Sequence, residues 1–149
     1  MSNVTISCSS CGTLNRVDLA RLSDAPRCAG CAKPLHLDRP QAISGEALDQ
    51  IIADAEVPLL IDFYADWCGP CRMMAPLLDE LARDRAGEVL VGKVDTDRYP
   101  YVATDFEVRG IPTLIVFSGG REVARHVGVV SRGALEEQLE AVRVPARSS

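Results

Sequence analysis

Apolar positions along this chain fall into two regimes, sparse and interrupted before residue 41 and regularly spaced after it. Ala47, Leu48, Ile51, Ile52 and Ala55 recur at helical spacing, with Ser44 placed to cap the helix and Glu46 in its first turn. Leu59 to Ala65 is apolar almost throughout and of strand length, as expected of a central strand covered on both faces; Asp62 is the charged exception. Met73, Met74, Leu77, Leu78 and Leu81 then predict a helix ending near Gly87, kinked by Pro76, with both methionines in the core. A strand over Val89–Asp95 and a short helix around Tyr101–Asp105 follow. Thr113–Phe117, the loop Ser118–Arg121 and Glu122–Val127 read as a hairpin, and a last helix after Ser131 turns Leu135, Leu139 and Val142 inward. Alternating helices and strands predict an α/β protein, its parallel sheet built through right-handed crossovers and extended by the antiparallel hairpin.

The 149 residues suit one domain and a small appendage. A net charge of −5 disfavours a general nucleic-acid binder, and no apolar run approaches the roughly 18 residues of a membrane span. The first residues lack a basic and then apolar leader, so a reducing cytoplasm is the expected compartment. Six cysteines there read as metal ligands or catalytic thiols rather than structural disulfides.

Four of them form the pairs Cys8–Cys11 and Cys28–Cys31, each CxxC, with sixteen residues between the pairs. Two such turns facing each other set four thiolates in a tetrahedron, which Zn²⁺ accepts; two disulfides or an iron site are the alternatives. Gly12 and Gly30 suit the turns. Leu14, Val17, Leu19 and Leu22 are too few for a core of their own, so metal binding is expected to supply much of this segment's folding free energy. His36 reads as a surface residue, and Leu37–Gln41 as a connector stiffened by Pro40.

The remaining pair, Cys68-Gly69-Pro70-Cys71, stands where the apolar strand runs into a helix. Thiols three residues apart can close a small disulfide ring and be reduced again. Cys68 opens the helix, where unpaired N–H groups and the helix dipole favour a thiolate.

Residues 41 to 144 resemble a thioredoxin, with Trp67-Cys68-Gly69-Pro70-Cys71 as that family's active-site signature. Asp62, Pro76, Lys93, Ile111-Pro112-Thr113 and Gly128 stand at matching places, and the N-terminal pairs make the chain similar to bacterial zinc-ribbon thioredoxins. Tyr64 departs from the pattern, replacing a usual Trp. The resemblance implies a thioredoxin fold, a central mixed sheet flanked by helices, with a small zinc ribbon. Expected units are the ribbon and connector (1–40), the thioredoxin domain (41–144) and a flexible tail (145–149).

The resemblance also implies site roles. Cys68 would attack a substrate disulfide and Cys71, less exposed and less acidic, would resolve the mixed disulfide. Asp62, its pKa raised by desolvation, would accept the Cys71 proton, with Lys93 tuning it; a solvent-facing strand-end carboxylate is the reading that spacing alone leaves open. Trp67, Gly69, Pro70, Ile111, Pro112 and Gly128 would form the contact surface, with Ile111-Pro112 as the family's cis-proline segment pairing with an extended substrate. His126 reads as a solvated strand residue.

The expected function is protein-disulfide reduction by a monomer, through a redox-active Cys68–Cys71 disulfide and recycled by an NADPH-dependent thioredoxin reductase. One Zn²⁺ on Cys8, Cys11, Cys28 and Cys31 would be structural or oxidant-responsive. A ribbon adaptor or chaperone-like module with a secondary redox domain is the alternative. An oxidant or isomerase fits Gly69-Pro70 and the expected compartment less well.

Overall fold

Period-two alternation along one central strand organises this computed structural model, which describes residues 2–142. In β4 (Leu59–Tyr64), Leu59, Ile61 and Phe63 join one apolar cluster, whereas Leu60 joins the other. Asp62, two residues on from Leu60, therefore projects into the same layer as Leu60. The other elements from residue 45 onward are α1 (Gly45–Asp54), α2 (Gly69–Asp84), β5 (Leu90–Asp95), α3 (Pro100–Asp105), β6 (Thr113–Ser118), β7 (Arg121–Val127) and α4 (Arg132–Ala141).

The sheet runs β3–β5–β4–β6–β7, where β3 is the two-residue strand Gln41–Ala42. β3, β5 and β4 are parallel and β6 and β7 antiparallel, as the alternation followed by a hairpin predicts. On one face α1 and Val102 of α3 cover Leu59, Ile61, Phe63, Val94, Ile115 and Phe117; on the other, α2 and α4 cover Leu60, Val91, Leu114 and Val116. Each fully buried large aliphatic side chain here contributes about 1.5–3 kcal/mol. Gly92 on β5 leaves room that Ile43 and Ile61 fill; a Cβ there would collide with both. Ser44 accepts the Ala47 N–H and caps α1 as expected. Arg85 joins the end of α2 to Glu136 and Glu140 of α4.

Three expectations are corrected. Met74 is buried but Met73 is 68% exposed, because Cys71, Met74, Leu78 and Leu81 define the inward stripe of α2 and Met73 lies about 100° from Met74. α2, which contains Pro76, ends at Asp84, three residues short of the expected end near Gly87. The Leu37–Gln41 stretch is more than a connector, since Leu37 is buried in the core and Gln41 begins β3.

The N-terminal segment likewise lacks a core of its own, but it borrows one. β1 (Asn3–Ser7) and β2 (Leu14–Asp18) pair as an antiparallel ribbon. Val4, Ile6, Val17, Leu19, Leu35 and Leu37 belong to the same cluster as Leu48, Ile51 and Ile52 of α1. Thr5 donates to Asp54 at 2.8 Å, and Asn3 exchanges hydrogen bonds with Glu56. Leu14 is exposed. Apolar burial against α1 thus shares with any bound metal the task of ordering the segment. The tail expected at 145–149, with residues 143 and 144, lies outside the described residues.

Candidate active site and metal centre

The turn from β4 into α2 places Cys68 at the N-cap of a sixteen-residue helix, where its Sγ accepts the Cys71 N–H at 3.2 Å. That N–H is one of the donors a helix start leaves unpaired, and it favours negative charge on Cys68 sulfur. Pro70 occupies the first turn, where a missing N–H costs nothing. Cys68 and Cys71 are joined by a disulfide. Cys71 was expected to be the less exposed; in this disulfide form the two are equally shielded, at 5% against 3% for Cys68.

Facing the disulfide is the loop before β6. Its Ile111–Pro112 peptide bond is cis, and the Ile111 carbonyl oxygen lies 3.7 Å from Cys68 Sγ. The Gly128 N–H donates to the Pro112 carbonyl at 2.8 Å, tying this loop to the end of β7, and Gly128 holds a left-handed φ of 91° that suits glycine. Trp67 is 66% exposed, and Gly69 and Pro70 are exposed beside it. Val127 and Val129, which flank Gly128, are exposed too, as is Met73 one turn along α2. None of these three apolar residues was expected at the site from the sequence, which placed Met73 in the core. For Met73, its place outside the α2 stripe was the available signal.

Asp62, which shares a cleft with Cys71, is 1% exposed, its Oδ1 without a hydrogen-bond partner among the described residues. Burial pushes its carboxyl up to about 7, and the positive charge of Lys93 opposes that rise. Lys93 is the residue opposite Asp62 in the β4–β5 register. Its ammonium sits 4.6 Å above the centre of the Tyr64 ring, a cation–π contact that sequence reading missed because it crosses between strands. A cleft of about 180 Å³ is lined by Asp62, Tyr64, Cys71, Arg72 and Lys93, so acid and inner sulfur open onto common space. It is roomy enough for water. His126, expected on a solvated face, is half-buried, with Nε2 lacking a partner among the described residues.

At the ribbon, two turns repeat each other. Gly12 donates its N–H to the Cys8 carbonyl at 2.8 Å, and Ala32 does the same to Cys28 at 2.9 Å. Sulfur receives an amide N–H two residues on in each, Ser10 to Cys8 and Gly30 to Cys28. The left-handed positions are Gly12 (φ 80°) and Ala32 (φ 67°), so it is Ala32 and not Gly30 that takes the strained place. The four Sγ atoms lie within 4.8 Å of one another, with Cys8–Cys31 at 3.7 Å and Cys11–Cys28 at 3.5 Å. Tetrahedral zinc with Zn–S near 2.3 Å requires sulfurs about 3.8 Å apart, so the donor set fits the ion. Before metal binds, the Asn15 side-chain amide pulls the Cys28 thiol down to about 6. Cys31, although a backbone hydrogen bond at Lys33 favours its thiolate, is pushed up to about 11 by burial and its sulfur neighbours. His36 is exposed and stands apart from the four ligands.

Dithiol–disulfide exchange needs two sulfurs within bonding reach of each other, one of them at a helix start that favours its thiolate; the β4–α2 turn supplies this pair, which places the protein among thiol–disulfide oxidoreductases of thioredoxin fold. Comparison with known proteins agrees. The Thioredoxin family profile matches residues 40–141, and one described as Thioredoxin 2, N-terminal, matches residues 7–33. Thioredoxin 1 of Nostoc sp. is 45% identical over 98 residues, covering 66% of this chain and 92% of the relative. Thioredoxin C-3 of Corynebacterium nephridii is 36% identical over 135 residues, covering 91% and 92%. A solved mutant thioredoxin from Halobacterium salinarum superposes with a TM-score of 0.66 at 36% identity, over 73% of this chain and 95% of that one. The chain belongs to the thioredoxin family and carries the family's zinc-ribbon extension.

Proposed function

We propose that the protein is a protein-disulfide reductase that Asp62 equips with an internal base. The observation that carries this reading is the buried Asp62 carboxyl facing the cleft that Cys71 also lines. Cys68 thiolate attacks one sulfur of a substrate disulfide, forming a Cys68–substrate disulfide and releasing the other substrate sulfur as a thiolate. Helix-start stabilisation of that nucleophile is a principle for which this motif is itself the standard example. Cys71 gives its proton to Asp62, directly or through water in the cleft, and attacks Cys68 Sγ. The Cys68–Cys71 disulfide forms and the second substrate thiolate leaves, so two electrons pass from protein to substrate.

Trp67, Gly69, Pro70, Ile111, Pro112 and Gly128 act as the substrate face, with the Ile111 backbone pairing to an extended segment around the target disulfide. Lys93 limits the rise in the Asp62 pKa. An NADPH-dependent thioredoxin reductase returns the pair to dithiols. The protein works as a cytoplasmic monomer without nucleic-acid or membrane partners, and no helix among the described residues is long and apolar enough to cross a membrane. Its units are the ribbon (1–40) and the thioredoxin domain (41–144), joined through one core.

Cys8, Cys11, Cys28 and Cys31 would hold one zinc ion, which when bound orders the ribbon by cross-linking its two turns. We propose further that these thiols answer oxidants. Cys11 is exposed, whereas Cys8 and Cys28 are buried, so Cys11 meets peroxide first. Each pair of thiolates passes two electrons to one peroxide and forms one disulfide, which removes two ligands. One test covers both readings: insulin reduction with NADPH and thioredoxin reductase, followed beside zinc release during peroxide titration. Turnover that depends on Cys68, with zinc lost in step with ribbon thiols, is expected. No NADPH oxidation would overturn the reductase reading. Retention of one zinc per chain at oxidant levels that fully oxidise Cys68 and Cys71 would overturn the oxidant response.

A further inference from the structure

Four polar side chains share one face of the β4–β5 pair. Asp62 stands opposite Lys93 and Tyr64 opposite Asp95. Residues paired across neighbouring strands, or two apart along one strand, point the same way. Lys93 therefore has one carboxyl directly across from it and another two residues along its own strand. Its ammonium takes neither. Among the described residues it makes no ion pair, and it lies on the diagonal, 4.6 Å above the centre of the Tyr64 ring. Asp95 is otherwise engaged, its Oδ1 accepting the N–H groups of Asp97 and Arg98. Asp62 keeps an Oδ1 with no partner among the described residues.

The ring can hold the ammonium because it stays neutral. Burial first, and then Asp95, Asp66 and Asp62, push the Tyr64 phenol up, so the negative ring face persists at neutral pH. Tyr64 and Lys93 line the cleft that Asp62 shares with Cys71, and both also line a second cleft of about 290 Å³ with Asp95, Arg98 and Tyr99. Arg98 is placed elsewhere, its guanidinium 5.5 Å over the Tyr99 ring. The other titratable groups toward Asp62 are Cys71 and Arg72 of α2 and Asp66 of the turn between them and β4. On the other side β6 sets the apolar Leu114 against Asp62, with His126 of β7 beyond it, and α4 adds the apolar Leu135 and Leu139.

We propose that Tyr64 is a positioning residue: its ring holds the Lys93 ammonium off Asp62, which leaves that carboxylate basic enough to take the Cys71 proton. An ammonium in contact with a carboxylate lowers its proton affinity by roughly tenfold or more, and the ring withholds that contact. This role rests on Asp62 being the base of the proposed exchange and adds what sets the strength of that base.

The test is a ¹³C NMR titration of the Asp62 side-chain carboxyl in the disulfide form, where Cys71 cannot titrate. Tyr64→Leu frees the ammonium, and the Asp62 midpoint should fall by about one pH unit. Tyr64→Phe keeps the ring face and should leave the midpoint in place. A smaller side chain also admits water to the cleft, which alone would lower the midpoint, so Tyr64→Leu is repeated in a Lys93→Met background. There it should move the midpoint less than half as far, since no ammonium remains to release. Should Tyr64→Leu fold poorly, Tyr64→pentafluorophenylalanine keeps the shape of the Phe variant but reverses the charge of the ring face, and its midpoint should fall below that of Tyr64→Phe. The proposal is overturned by an unmoved or raised midpoint in Tyr64→Leu or, in its place, in the fluorinated variant. A fall at least half as large in the Lys93→Met background overturns it too, by making hydration the cause. The titration reads an equilibrium, so an Asp62 that failed as a base in the kinetics of resolution would leave its outcome unchanged.

Discussion

Replacing Asp62 by Asn should stabilise the protein, and by an amount that depends on pH in a calculable way. Folding moves this carboxyl from about 3.9 in the unfolded chain to about 7. Because the folded value is the higher one, the native state holds the proton more tightly than the unfolded state does. The stability this confers is fully present below pH 4 and is lost as pH rises from 4 through 7. Integrating across that window gives about 4 kcal/mol, the cost of keeping a charged Asp62 buried at pH 8. Asparagine fills nearly the same volume and carries no charge. The variant should therefore match the wild type to within about 1 kcal/mol near pH 4 and exceed it by up to about 4 kcal/mol at pH 8. Urea denaturation of the disulfide form of both proteins, at intervals from pH 4 to pH 8.5, measures the difference. A constant difference across this range would refute the reasoning, since it would mean that Asp62 ionises equally easily folded and unfolded.

Further outcomes follow from the same geometry. Cys68→Ser should abolish disulfide reduction, while Cys71→Ser should accumulate a mixed disulfide on Cys68, seen as added mass on non-reducing gels. If alkylation of the reduced protein at neutral pH labelled Cys71 first, the order of attack would be reversed. Lys93→Met removes the charge that opposes the Asp62 shift, so the pH window of the stability difference should move upward; an unmoved window would show that Lys93 is electrostatically silent. Ile6→Ala should cost about 2–5 kcal/mol in a single unfolding transition, because Ile6 shares its cluster with α1. Separate transitions for ribbon and thioredoxin domain would contradict the common core.

Much of the thioredoxin domain was legible because its apolar positions obey one period at a time. The Ser44 cap, the α1 face, the buried run of β4 and the hairpin all follow from local rules. Asp62 was legible for the opposite reason, as a charge interrupting a buried strand. What escaped depends on pairings between distant segments. Val4 and Ile6 alternate at strand period, but five residues are too few to be recognised as a strand without Val17 opposite. β3 is a two-residue strand that exists only through its pairing with β5. Lys93 reaches Tyr64 across two strands, which no spacing along the chain encodes. At the second knuckle Gly30 drew attention, yet the left-handed residue is Ala32, the counterpart of Gly12 one place after each CxxC.

That Asp62 serves Cys71 as a base is the central claim, and the rate of mixed-disulfide resolution tests it most directly. Reduced protein would be mixed rapidly with an aromatic disulfide, and the second released thiolate followed by absorbance at several pH values, in the wild type and in Asp62→Asn. The wild-type resolution rate should rise with an apparent pKa near 7. In the variant resolution should be slower at neutral pH, its rise displaced toward the ordinary thiol range near 8.5. Superimposable profiles for the two proteins would contradict that claim.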